Sequence, residues 1–206
     1  MINRNLFASF ILFALFTSAT MMAASLGPAE QVKTTVDAVL DTLKSHSLNT
    51  QEKRDQLRKL IKFQFDFRAM SQGVLATHWK KVSAEEKERF IDLFSQLLEW
   101  TYIGRLEAYT DEKVEYINEK ITGKRAVLET MIVTANADIP IIYKLIKRGD
   151  RWLVYNVLIE KVNLVRNYRD SYRSIVKKEG ISGLLAKMEQ KVAELKSKAD
   201  SVQANT

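Results

Sequence analysis

The chain has 206 residues, a formal net charge of +7 and no cysteine. Without cysteine a disulfide framework and a cysteine nucleophile are excluded, so burial of apolar side chains must stabilise the fold. The excess of basic side chains favours anionic partners.

The N-terminus, residues 1–24, has the pattern of a secretory signal peptide. Arg4 supplies the positive charge, an apolar run covers residues 6–16, and Ala23 or Ala24 offers a small residue for cleavage. The run is shorter than the ~20 apolar residues that span a bilayer. A retained N-terminal anchor is the alternative, but the stop-transfer charges that would accompany it are missing.

Cleavage would release residues 25–206, which contain no apolar run of membrane-spanning length. We expect these residues to form a single domain that is soluble in the periplasm. The domain stays basic, because Arg4 is the one basic residue in the signal. Nucleic acid would suit this charge, but export carries the protein away from it. Anionic lipid surfaces or acidic proteins are therefore the expected partners.

Helical spacing dominates the first half of the chain. Pro28 suits a first helical turn, and the apolar positions from Val32 to Leu43 recur at helical intervals. Thr50 is predicted to cap a second helix, and Asp66 is predicted to cap a third. Both of these helices are expected to be short.

A fourth, long helix is predicted from the capping box of Ser83 and Glu86 to about Tyr109. Its apolar positions form more than one stripe, so this helix must be covered on more than one side. We expect it to face a sheet, with a cavity between the two. An ordinary close-packed core is the alternative explanation of the same pattern.

Alternating periodicity replaces helical periodicity after Lys113 and predicts about four antiparallel strands. Short turn signals separate them at 122–123, 136–138 and 149–150. The predicted strands are Val114–Lys120, Arg125–Thr134, Ile139–Lys147 and Trp152–Ile159.

Helical spacing returns near Val165, stops at Gly180 and resumes from Leu184 to Leu195. Helices, then antiparallel strands, then helices predict an α+β domain in which helices cover one face of the sheet.

Residue types that carry catalysis are isolated in this sequence. His46 closes a predicted helix and His78 lies in a connecting loop, while Asp138 and Asp150 lie in turns, where aspartate bonds to the local backbone. The sequence shows no glycine-rich phosphate loop and no cluster with metal-ligand spacing. We therefore expect no catalytic residue, no metal and no cofactor.

Three carboxylates flank the apolar stripe of the long helix, namely Asp92, Glu99 and Glu107. We interpret them as solvated groups paired with nearby Lys or Arg. A general base would need a buried, perturbed carboxylate, and we expect none of the three to serve as one.

Several segments, in order and spacing, resemble the MlaC family, also called the toluene-tolerance or Tgt2-type auxiliary component. The N-terminal segments are Phe65–Met70, Trp79, Glu86–Phe90, Phe94–Leu98, Tyr102 and Tyr109. The C-terminal segments are Trp152–Val157, Val162–Arg169 and Lys178–Leu184. The chain departs from the usual pattern at Asn156, where Asp is common, and at Lys161 and Asn163, where Gly and Ser usually follow the strand.

This resemblance implies a periplasmic phospholipid-binding protein with a nuclear-transport-factor-like α+β fold that encloses an apolar pocket. Its partners would be phospholipid, an inner-membrane complex of a hexameric substrate-binding protein with an ABC transporter, and an outer-membrane lipoprotein–porin complex. Shuttling of lipid between the two complexes would support the lipid asymmetry of the outer membrane. No nucleotide site is expected in the carrier itself.

The residues that we expect to line the acyl chains are aromatic and aliphatic side chains on helices three and four, on strands three and four and on the C-terminal helix. They are Phe67, Met70, Val74, Phe94, Leu97, Tyr102, Tyr143, Leu145, Trp152, Val154, Val165, Tyr168 and Tyr172. Two alternatives stay open. One is an exported interaction or chaperone module with a dry core, and the other is a small-ligand enzyme with an acid or base in the cavity.

Overall fold

A computed structural model describes residues 26–107, 113–134 and 137–204. The expected cleavage site and Tyr109 lie outside these residues. The helices are α1 (Pro28–Lys44), α2 (Thr50–Gln64), α3 (Phe67–Leu75), a short 3-10 helix (Ala76–Lys81), α4 (Ala84–Glu107) and α5 (Leu164–Ala204). The strands are β1 (Lys113–Thr122), β2 (Arg125–Val133), β3 (Asp138–Arg148), β4 (Arg151–Ile159) and β5 (Val162–Asn163). Within the described parts, none of the helices combines the length and apolarity needed to cross a bilayer.

Side-chain caps start the second and third helices. Asn49 caps α2, because its Oδ1 accepts from the Glu52 backbone N–H at 2.9 Å while Glu52 Oε2 accepts from the Asn49 N–H at 2.9 Å. The prediction of Thr50 as the cap is therefore wrong by one residue, since Asn at 49 completes a capping box with Glu52. The predicted cap of α3 is confirmed, as Asp66 Oδ1 accepts from the Ala69 N–H at 2.8 Å.

The long helix α4 begins at the predicted capping box, with Ser83 and Glu86 bonded reciprocally at 3.0 and 3.1 Å. It packs mainly against α5 and α3, and has little contact with the sheet. The prediction that it faces the sheet is wrong. The wide apolar arc was read correctly, but α5 supplies most of the covering surface, including Tyr168 and Tyr172.

The sheet is antiparallel, with strand order β1-β2-β3-β4-β5. Its fifth strand, of two residues, adds to the four that were predicted. Gly123 and Gly149 occupy the β1–β2 and β3–β4 turns with φ of 59° each. That left-handed conformation suits glycine, which explains why the turn signals were readable from the sequence.

The described core divides into two apolar clusters. The helical cluster joins α3, α4 and α5, and its buried members are Met70, Val74, Leu75, Val82, Phe90, Leu93, Phe94, Leu98, Leu164, Val165, Leu184, Leu185 and Met188. The sheet cluster joins the sheet to α1, and its buried members are Val32, Ala126, Leu128, Ile141, Leu145, Trp152, Val154 and Val157. Phe65 packs against both clusters, and it forms a single parallel bridge with Val154.

The last helix, α5, begins on an amide network below β4. Asn156 Nδ2 donates to Asn163 Oδ1 at 3.0 Å, and Asn156 Oδ1 accepts from the Val165 N–H at 3.2 Å. Asn163 Oδ1 also accepts from the Arg166 N–H at 2.9 Å, which caps the helix. The helix then kinks where a break was predicted, because Gly180 adopts φ 71° and ψ −172°.

We expect Asn156→Asp to lower the free energy of unfolding by about 1–2 kcal/mol. The substitution replaces the Nδ2 donor with a second acceptor facing Asn163 Oδ1, in a position where residue 156 is 8% exposed. Adding Asn163→Ser should recover most of the loss, because a serine hydroxyl can donate to the new carboxylate. Urea unfolding of the single and double variants measures both effects.

The matched control is Asn167→Asp, which makes the same change at an exposed position of α5, away from the amide network. It should alter stability by less than about 0.5 kcal/mol. Equal stability of Asn156→Asp and the unaltered protein would show that the amide pair does not fix the start of α5.

Candidate functional site

The predicted acyl-chain residues lie in two places. The helical cluster contains or is packed by Phe67, Met70, Val74, Phe94, Tyr102, Val165, Tyr168 and Tyr172. The sheet cluster contains or is packed by Tyr143, Leu145, Trp152 and Val154. Leu97 is buried but belongs to neither cluster. Contact of these residues with lipid stays a prediction.

Phe65 was not among the predicted lining residues, although it is the side chain that packs against both clusters. The backbone around Phe65 explains why its side chain reaches both clusters. The Asp66 N–H donates to the Val154 carbonyl at 2.8 Å, which holds the start of α3 on β4. A sequence signal was present, because Phe65 precedes a cap and Met70 follows at the fourth helical position, the spacing of a hydrophobic staple.

Aromatic rings form the seam between α4 and α5. Phe90 and Phe94 stack with ring centroids 5.8 Å apart, and both meet tyrosines of α5 edge-on. The Phe94–Tyr168 centroid distance is 5.2 Å, and Phe90–Tyr172 is 6.3 Å. These contacts make an uncharged wall of the kind that suits hydrocarbon.

Three tyrosines of the two clusters are held in the neutral form. Burial raises the pKa of Tyr143 to about 12, and burial with the neighbouring Tyr102 phenol raises the pKa of Tyr168 to about 12. Burial, followed by the nearby Tyr168, also raises the pKa of Tyr172. The phenols therefore add no charge to either cluster at neutral pH.

These raised pKa values predict a loss of stability in alkali. An acid whose pKa is raised in the folded state stabilises the fold below its unfolded pKa of about 10, and that contribution is lost as the pH climbs through the folded values. We expect the urea midpoint to fall between about pH 10 and pH 12. Replacing Tyr143, Tyr168 and Tyr172 by Phe should flatten this part of the curve, whereas an unchanged slope would assign the loss to lysines.

A polar cavity of about 290 Å³ lies between α2, α4 and the end of α5. Its lining residues are Arg58, Lys62, Asp92, Gln96, Glu99, Trp100 and Lys196. None of the predicted acyl-chain residues lines it. Its mixture of cations and carboxylates is unsuited to hydrocarbon.

A smaller cavity of about 50 Å³ lies where α3 and the 3-10 helix meet α5. Val74 and Tyr172 line it, so it touches the helical cluster. Of the remaining predicted acyl-chain residues, all but Leu97 are packed within one of the two clusters. Acyl chains can enter such an interior only if packed side chains separate.

Two ion pairs join α2 to α4 beside the polar cavity. Arg54 Nε donates to Glu107 Oε1 at 2.6 Å, and the Arg58 guanidinium donates to Glu99. The expectation that Glu99 is solvated is wrong, because only 6% of its side chain is exposed. Its pairing with an arginine was expected, and this pairing makes it a structural group. The described residues contain no group of three or more candidate metal ligands.

The chain is similar to known proteins over most of its length. Residues 33–190 match the MlaC protein family. The intermembrane phospholipid transport system binding protein MlaC of Haemophilus influenzae is 24% identical over 196 residues, covering 90% of this chain and 91% of that protein. The toluene tolerance protein ttg2D of Pseudomonas putida is 24% identical over 184 residues, covering 82% of this chain and 81% of that protein.

The fold also matches a solved structure. A phospholipid-binding protein from Ralstonia solanacearum, solved in complex with a phospholipid, superposes with a TM-score of 0.74 at 24% identity. The match covers 81% of this chain and 97% of that protein. The α+β fold, with helices on both sides of an antiparallel run in the sequence, is confirmed. With more than half of its residues matched to the family, the chain belongs to the MlaC family.

Proposed function

We propose that this protein is a periplasmic carrier of phospholipid that uses no catalysis of its own. The observation that carries the proposal is the pair of uncharged apolar clusters joined through Phe65, in a chain of the MlaC family. Two relatives support it, one named for intermembrane phospholipid transport and the other for toluene tolerance. So does the phospholipid bound to the protein of the same fold.

The energetic requirement on such a carrier is large. Two acyl chains of about 16 carbons would lose on the order of 25 kcal/mol if they were exposed to water, at ~0.8 kcal/mol per methylene. The carrier must therefore bury them almost completely. Membrane and protein interior are both apolar, so transfer between them is nearly balanced, and direction must come from partners and from ATP hydrolysis elsewhere.

The chains enter along the seam between α3 and α5. The small cavity opens at this seam, and its inner wall of Val74 and Tyr172 leads into the helical cluster. Separation of the two helices would expose apolar side chains as far as Phe65. From there the chains reach the sheet cluster, which holds the second group of predicted lining residues.

The partners follow from the same proposal. An inner-membrane complex of a substrate-binding protein with an ABC transporter and an outer-membrane lipoprotein–porin complex exchange phospholipid with the carrier. The excess of basic over acidic side chains, which persists after removal of Arg4 with the signal, favours docking on acidic surfaces of these complexes. Lipid asymmetry of the outer membrane depends on this exchange.

A transfer assay tests the proposal. Donor vesicles carry a self-quenched fluorescent phospholipid, acceptor vesicles carry none, and the protein is added without detergent. We expect transfer to rise in proportion to protein concentration. Transfer at the spontaneous rate, by protein that is folded, would contradict the carrier function. The closed packing of the clusters would then favour an exported interaction or chaperone module with a dry core.

A further inference from the structure

The small cavity at the end of α3 combines apolar and cationic side chains. Val74 and Leu75, each 2% exposed, form its floor together with Tyr172. Arg169 and Arg173 lie on its α5 side, one helical turn apart and therefore on one face. The cavity thus joins the helical cluster to a pair of guanidinium groups at the surface.

The two arginines have donors to offer. Arg169 Nε donates to the Gly73 carbonyl at 2.8 Å, which fixes the guanidinium and leaves its other N–H groups available. Within residues 26–107, 113–134 and 137–204, no carboxylate pairs with either arginine. The nearby acids of α5 are engaged elsewhere, Asp170 with Arg166 at 3.7 Å and Glu179 with Lys187 at 3.3 Å.

The backbone at the cavity is strained, and an unpaired hydroxyl is buried deeper in α3. Ala76, which lines the cavity, has φ 48° and ψ −118°, a strained conformation for a residue with a β-carbon. Such strain persists where the surrounding structure holds it, and it is concentrated at binding sites. One turn earlier in α3, the Ser71 hydroxyl is fully buried without a hydrogen-bond partner. A ligand ester carbonyl that reached this depth could accept a hydrogen bond from the hydroxyl.

We propose that this cavity is a phosphate site, in which Arg169 and Arg173 bind the phosphodiester of the carried lipid. Guanidinium groups donate in pairs to phosphate oxygens, and these charge-assisted hydrogen bonds are strong. Arg173 is exposed, so the phosphate stays partly hydrated and avoids the penalty of full burial. The inference rests on the proposed carrier function, which it extends to the headgroup.

The dimensions of α3 agree with this placement. Nine residues at 1.5 Å each span about 13 Å, and the acyl chains of one bilayer leaflet span about 15 Å. A lipid whose phosphate lies at the C-terminal end of α3 would therefore extend its chains past Met70 toward Phe65. The phosphate site and the predicted lining residues thus fit one molecule.

A pair of soluble lipids with the same chain tests the site. Oleoyl lysophosphatidylglycerol and monooleoylglycerol, both below their micelle concentrations, are titrated into lipid-stripped protein. We expect the protein to bind the phosphate-bearing lipid at least about tenfold more tightly. Arg173→Gln should reduce this preference to about threefold or less, while binding of monooleoylglycerol stays unchanged. Lys178→Gln, the same loss of charge on α5 outside the cavity, should keep the full preference.

The outcomes separate the two proposals. Failure of the unaltered protein to bind either lipid contradicts the carrier function, and the phosphate site falls with it. Binding of both lipids with a preference that survives in Arg173→Gln and in Arg169→Gln overturns the phosphate site alone. Inorganic phosphate, titrated separately, should bind far more weakly than the lysolipid. Equal binding would make this a site for free phosphate and overturn its assignment to lipid.

Discussion

A disulfide between residues 73 and 165 is expected to slow phospholipid uptake more than about tenfold, because it would fasten α3 to α5 across the proposed entrance. A β-carbon at position 73 would lie 2.8 Å from Val165 Cγ1. A cysteine at 165 would place its sulfur near that carbon, within reach of a sulfur on residue 73. The natural chain has no cysteine, so Gly73→Cys with Val165→Cys creates one defined pair.

Uptake of a fluorescent phospholipid from vesicles measures the effect of this bond. The oxidised double variant should show this slowing, and reduction should restore uptake to the rate of the two single-cysteine variants. This internal control separates the bond from the substitutions, since Gly73→Cys alone crowds Val165. Uptake at an unchanged rate with the disulfide verified by mass would show that lipid enters without parting α3 and α5.

Phe94→Ala is expected to destabilise the lipid-free protein by about 3–5 kcal/mol and the lipid-loaded protein by about half as much. Phe94 is fully buried in the helical cluster, between Phe90 and Tyr168. Removing its ring leaves a cavity, which accounts for the large loss. If the chains bind in the helical cluster as proposed, an acyl chain in the loaded protein would lie beside this position and occupy part of the space.

Urea unfolding with and without saturating lysophospholipid measures the two losses. Leu57→Ala is the control, because Leu57 is equally buried but lies on α2, outside both clusters. Its loss of about 2–5 kcal/mol should be the same in both conditions. A loss at Phe94 that lipid does not reduce would place the acyl chains away from the helical cluster.

Most features that depend on neighbouring residues were predictable from the sequence, although the cap of α2 is Asn49 and not Thr50. The Asp66 cap, the capping box of Ser83 and Glu86 and the break at Gly180 each arise from groups within a few residues of one another. The strand positions and their turns follow from alternation and from glycines with positive φ. The α+β fold follows from the order of these elements.

Features that depend on distant residues were not predictable in this way. Periodicity shows how wide the apolar arc of α4 is, but it does not show that α5 covers this arc in place of the sheet. The burial of Glu99 depends on Arg58, 41 residues earlier, which forms its ion pair. The arrangement of the lining residues in two clusters also depends on distant residues, since Phe65, which packs against both, pairs with Val154 of β4. The local sequence pattern therefore identified the apolar residues but not the elements that pack against them.

Mass spectrometry of organic extracts tests the central claim most directly. The protein is expressed from its full sequence in a bacterium with two membranes, purified and washed extensively in detergent-free buffer, and its extract is compared with the protein amount. We expect phospholipid in near-stoichiometric quantity, and the headgroups present would identify the lipid that is carried. Folded protein that is free of lipid, and that takes none from vesicles, would contradict the claim that this chain carries phospholipid.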